Sequence, residues 1–193
     1  MTLRQITEYP VDGQIAIEVN PKKPARFQMA LRIPAWCSLQ HVKLAVNGEA
    51  VHVNATGWQV IEREWQAGDS ITLELDMRAR LVELNQHQAI LRGPVLFARD
   101  SRFGDGDVDE TSVVQAKEGY VEITPAEVPD YAWMSFTAPL ILGTDLEDHG
   151  APSQIRFCDF SSAGNTWDKA IRYRVWLPKT LNVMNAPYKP YNY

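Results

Sequence analysis

Cysteine, long apolar runs and clustered positive charge are all scarce in this chain of 193 residues. Two cysteines, Cys37 and Cys158, fit neither a disulfide framework nor the paired spacing of a zinc site. They read as two small buried thiols, with one bridge between the halves as the alternative. The longest apolar runs, residues 94–98 and 138–142, hold about five residues against the roughly 20 that cross a bilayer, so no membrane partner is expected. No basic-then-apolar segment opens the chain as given, so no signal peptide is expected in it, and a cytoplasmic or periplasmic parent stays open. Lys and Arg number 19 against 24 Asp and Glu, a net charge of −5. Without a basic cluster to neutralise phosphates, nucleic acid is excluded as a partner.

Helical periodicity is also missing; the dominant period is two. Ile15, Ile17 and Val19 alternate with polar or small neighbours, as do Phe27, Met29, Leu31 and Ile33. The pattern returns at Val42/Leu44/Val46, at Ile71/Leu73/Leu75/Met77 and at Ile171/Tyr173/Val175/Leu177. Such alternation buries one face and wets the other, as antiparallel sheets do. Asn47-Gly48 between two β-rich runs predicts a type I′ hairpin, and Asp12-Gly13 a similar joint. Pro34 is expected to end a strand, and Gly93-Pro94 to break or bulge a long one. The fold class is therefore all-β: two consecutive antiparallel β-sandwiches of jelly-roll type. The acidic, glycine-containing stretch 99–111 reads as a linker or exposed loop, which sets the domains at 1–98 and 99–193.

Few residues carry chemistry in their own right. Residues 105–110 cluster carboxylates, but the EF-hand positions for Gly and Glu hold Glu110 and Ala116, so a solvated acidic turn is the better reading than calcium. The four histidines, His41, His52, His87 and His149, are scattered, and no nucleophile elbow, P-loop or dinucleotide fingerprint occurs. No carboxylate pair stands out as a glycosidase couple among 24 acidic residues. Trp58, Trp65 and Trp176 lie in strand-like runs and are expected in the core or half-buried. Tyr131 and Trp133, after Pro129-Asp130, are the candidates for stacking on a sugar ring. The tail with Tyr188, Tyr191 and Tyr193 is aromatic but broken by Pro190.

The order of segments carries a resemblance. Residues 5–13, then 27–37 ending Arg32-Ile33-Pro34-Ala35-Trp36-Cys37, then 46–49, 57–69 and 92–98, resemble the region after the catalytic barrel in β-L-arabinofuranosidase-type enzymes, glycoside hydrolase family 127. Residues 155–167 and 173–178 are similar to that family's C-terminal domain. The resemblance implies a parent with a helical (α/α)₆ barrel, in which a zinc-associated cysteine is the nucleophile and glutamates assist, followed by β-sandwiches. This chain corresponds to the sandwiches without the barrel. Cys37 and Cys158 stand in other motifs, so no catalytic or metal-binding residue is carried over. No cofactor is expected in the chain, zinc belonging to the barrel it lacks. The resemblance thus implies a non-enzymatic accessory region that supports the barrel and has a second copy of the chain as a further candidate partner. The alternative is a module that binds arabinose-containing glycans through Tyr131 and Trp133.

Overall fold

A computed structural model describes residues 1–143, 152–166 and 168–179, and the chain divides into two compact units, Met1–Met77 and Arg78–Tyr193. Among the described residues the only helices are two three-residue 3-10 turns, Leu39–His41 and Ser101–Phe103; every other element is a β-strand. His149, Trp167 and the tyrosine tail lie outside the described residues.

The first unit contains β1 (Thr2–Thr7), β2 (Gln14–Asn20), β3 (Ala25–Ile33), β4 (Lys43–Val46), β5 (Glu49–Ala50), β6 (Gly57–Trp65) and β7 (Asp69–Glu74). They form an antiparallel five-stranded sheet, β1-β2-β7-β4-β5, and a two-stranded sheet, β3-β6. Val19, Leu44, Val46, Ile71 and Leu73 from the first share one core with Leu31, Ile33 and Trp65 from the second. The alternation dictates this arrangement: inward residues occur at every second position, and Trp65 is fully enclosed. Its indole N–H donates to the Phe27 carbonyl at 3.1 Å, which satisfies the one polar atom the ring takes inside.

The turns follow from their residues. Val46 pairs with Glu49 across Asn47 (φ 53°) and Gly48 (φ 82°), the two positive angles of a type I′ turn. The Asn47 side chain accepts from the Ser70 N–H and donates to Asp69, both at 2.8 Å, tying this hairpin to β7. Asp12-Gly13 stands in the joint between β1 and β2, and a Cβ on Gly13 would lie 2.4 Å from the Leu75 carbonyl oxygen, so glycine also permits close backbone approach there.

The second unit begins before the expected boundary. Its strands are β8 (Ala79–Leu84), β9 (His87–Arg92), β10 (Val95–Asp100), β11 (Ser112–Val114), β12 (Ala116–Lys117), β13 (Tyr120–Val121), β14 (Thr124–Pro125), β15 (Ser135–Leu142), β16 (Ser153–Asp159), β17 (Tyr173–Arg174) and β18 (Leu177–Pro178). β8, β9 and β10 pair with one another, and β10 also pairs with β16, so residues 79–98 belong to the second unit's sheet. The division thus falls after Met77, not after Ala98. Gly93-Pro94 is the two-residue turn between β9 and β10, with Arg92 opposite Val95; it reverses the chain rather than bulging one long strand.

Among the described residues these eleven strands form one sheet that nearly closes on itself. The path β11-β15-β16-β10-β9 returns through β18, which pairs with β9, and through the Ser112–Lys179 bridge. The alternating run 171–177 is therefore not one strand: Tyr173 pairs with Asp100 and Leu177 with Gln88, with a bend between.

Candidate functional site

In the first unit a cleft of about 930 Å³ opens on the face of the five-stranded sheet that turns away from the core. Its floor follows from register. Ile6 lies opposite Ala16, Ala16 opposite Thr72, Thr72 opposite Ala45, and Ala45 opposite Ala50, a row of mostly small side chains across the strands. The neighbouring row, Gln14, Glu74 and Lys43, stands taller, and Glu8, Asp12 and His52 complete the polar wall. Two of the three carboxylates are engaged: Glu74 accepts from Lys43 at 3.0 Å, and Asp12 accepts the Gln14 N–H at 2.9 Å. This leaves an apolar floor with a polar rim rather than a pair of opposed carboxyl groups.

The acidic stretch of the second unit proves to be a counter-charge. Arg99 is fully enclosed; burial pulls its guanidinium below the ordinary range, and Asp105, Glu110 and Asp107 oppose that effect. Asp105 also accepts the Arg156 N–H at 2.7 Å, Arg172 reaches Asp107 at 3.9 Å, and Arg172 and Arg174 both engage Asp109. Four arginines thus surround the carboxylates that composition alone presents as a calcium site or a free linker. Among the described residues, no three His, Cys, Asp or Glu side chains gather in a way that could hold a metal ion.

Two buried aspartates organise the remaining motif, residues 157–165. Asp159 accepts from the Trp133 and Met134 N–H groups, the Ser162 N–H and the hydroxyls of Ser161 and Ser162. Burial alone would raise its carboxyl, but these donors hold it below the usual carboxylate range. Asp100 is held down in the same way against its burial, by the side chain and N–H of Arg102 and by the Gly164 N–H. Neither is poised as a general acid, which needs a raised pKa. Beside them the Cys158 thiol is pushed up to about 12, first by burial and then by Asp100 and Asp159. It is protonated at neutral pH and inert as a nucleophile. Neither Cys37 nor Cys158 is in a disulfide, and both are buried.

Tyr131 and Trp133 differ in what they leave open. The Tyr131 ring lies 3.7 Å from the Arg102 guanidinium and 6.1 Å from Phe103, and the residue is half-buried. Trp133 is anchored by its backbone N–H and is 52% exposed. The three tryptophans expected in strands also divide: Trp65 is core, Trp176 lies exposed in the bend between β17 and β18, and Trp58 is 66% exposed. Trp58 and Trp65 stand seven positions apart on β6, and an odd separation puts them on opposite faces. That parity was readable in the sequence, and it corrects the expectation that Trp58 is packed.

The all-β fold and these sites are the setting for the similarities. Residues 1–77 match the family model described as Beta-L-arabinofuranosidase, GH127 middle domain. The match ends at the residue that closes the first compact unit. Among solved structures, a GH127 beta-L-arabinofuranosidase from Geobacillus stearothermophilus superposes with a TM-score of 0.73 over 92% of this chain, at 20% identity. A second GH127 beta-arabinofuranosidase gives 0.71 over 92% at 20% identity, and a further glycoside hydrolase 0.62 over 93% at 24%. This likeness is one of fold. The chain spans 30%, 31% and 32% of the lengths of those three. No curated protein matches it.

The resemblance implies a zinc-bound cysteine for such enzymes, and the surroundings of the two cysteines here bear on it. Cys158 is held as a buried thiol among two aspartates, and no cluster of ligand side chains surrounds either cysteine among the described residues.

Proposed function

We propose that this chain is the non-catalytic β-sandwich portion that follows the catalytic barrel of a β-L-arabinofuranosidase-like glycoside hydrolase, and that it buttresses that barrel. The observation that carries the reading is the shared end point of the family match and the first compact unit at Met77. The fold likeness supports it: nearly the whole chain is matched, yet only about a third of each larger enzyme is. The chemistry of the sites agrees, since the engaged carboxylates are charge partners and the raised thiol is inert.

The direct test assays the pure chain, with zinc supplied, on an aryl β-L-arabinofuranoside. No turnover is expected, and zinc-dependent turnover would overturn the proposal. A positive arm measures binding of the chain to a separately produced helical barrel from such an enzyme. A second reading, a glycan-binding module using Tyr131 and Trp133, is favoured only by the open ring of Trp133.

A further inference from the structure

Trp58 is the most exposed tryptophan among the described residues. It stands on the outer face of the β3-β6 sheet, where register lays out four rows: Arg32 opposite Trp58, Ala30 opposite Val60, Gln28 opposite Glu62, and Arg26 opposite Glu64. Successive rows are about 7 Å apart, twice the strand rise. The Arg32 guanidinium lies 5.7 Å from the Trp58 ring and makes no hydrogen bond among the described residues, so its donors are open beside an open aromatic face. Two rows further along, Glu62 accepts from Gln28 at 3.0 Å and from Arg26 at 3.1 Å, which fixes a planar polar group at the other end of the strip.

We propose that this face binds a short, uncharged oligosaccharide, with one sugar ring stacked on Trp58 and its hydroxyls taken by Arg32. The inference rests on reading the chain as part of a glycoside hydrolase. Size and charge select the occupant. Two strands of nine residues present a strip of about 27 by 10 Å, roughly 270 Å². A stable protein interface takes about 800 Å² from each partner. Only Trp58 and Val60 are large apolar groups on the strip, too little for the dry centre of a protein contact. A long, narrow ligand with small C–H faces and a hydroxyl rim matches it. Arg26 and Arg32 balance Glu62 and Glu64, so the face favours neither an anionic nor a cationic ligand.

The test is native affinity electrophoresis of the full chain in gels containing arabinan, arabinogalactan or xylan, with Trp58→Ala, Arg32→Ala and Trp133→Ala beside it. Wild type is expected to be retarded by at least one polysaccharide. Trp58→Ala should lose about tenfold or more in affinity, or about 1.4 kcal/mol; Arg32→Ala should lose less, and Trp133→Ala nothing. An unchanged thermal midpoint of Trp58→Ala shows that the loss is not unfolding. No retardation of wild type in any gel, or equal retardation of Trp58→Ala, overturns the proposal. A chain that is retarded but also turns over an arabinofuranoside leaves this site standing and removes the accessory reading instead.

Discussion

The interior of residues 1–77 is almost wholly apolar, whereas that of residues 78–179 is threaded with charge and amide. In the first unit the buried polar side chains are Asp69 and Asp76, beside eleven buried apolar residues in one core. In the second, Gln88, Asp100, Asp159 and Ser162 are enclosed and hydrogen-bonded through their side chains, and Arg99, Ser112 and Ser135 are enclosed as well. An apolar core tolerates approximate partners and is specified by pattern. A buried polar network works only when each member meets its own partner, so it is specified by individual residues. The first unit should therefore respond most to lost volume, the second to lost hydrogen bonds.

The largest effect expected is that of Trp65→Ala. Removing a fully enclosed indole that stacks on Phe27 at 5.8 Å should cost about 3–5 kcal/mol, read as a fall in the urea midpoint. Asp159→Asn comes next, at about 2–4 kcal/mol by the same measurement, because an NH₂ group then meets donors where an acceptor stood. If Asp159→Asn proved neutral, the contrast between the units would fail.

Acid sharpens the contrast further. Asp100 and Asp159 in the second unit, against Asp69 in the first, have folded-state pKa values below their unfolded values, so their contribution is complete above the unfolded pKa near about 4 and is lost as pH falls through the folded values. At pH 3, pepsin should therefore cut first within residues 78–179; earlier cutting within 1–77 would reverse the expectation. The smallest effect belongs to Glu62→Gln. Its carboxyl is lowered by hydrogen bonds from Gln28 and Arg26 but is solvent-exposed, and the urea midpoint should not move measurably.

The same contrast explains what the sequence disclosed. Alternation places Leu31 and Ile33 inside and Arg32 outside, and Asn47-Gly48 names its turn, because these depend only on neighbours along the strand. The boundary failed at residues 99–111 because composition reports charge and not its partners. The arginines that neutralise this loop lie at positions 99, 156, 172 and 174. The run 171–177 has strand alternation, yet Tyr173 and Leu177 serve different neighbours, β10 and β9. Of the candidate site residues, Trp133 is exposed, while Tyr131 is half-buried through contacts with Arg102 and Phe103, distant in sequence. The cleft floor was invisible for a similar reason: Ala16, Thr72, Ala45 and Ala50 become a row only once four strands are in register.

The stitch by β18 and Lys179 that closes the second sheet has a consequence for synthesis. The first unit holds all its strands by Glu74, so it can fold once that length of chain has left the ribosome. The second cannot seal until Leu177, Pro178 and Lys179 emerge to meet Gln88, His87 and Ser112, made some 65 to 90 residues earlier. Throughout that interval the edge of β11 and one side of β9 at His87 and Gln88 stay open to foreign strands, so the nascent second unit is the more exposed to mispairing.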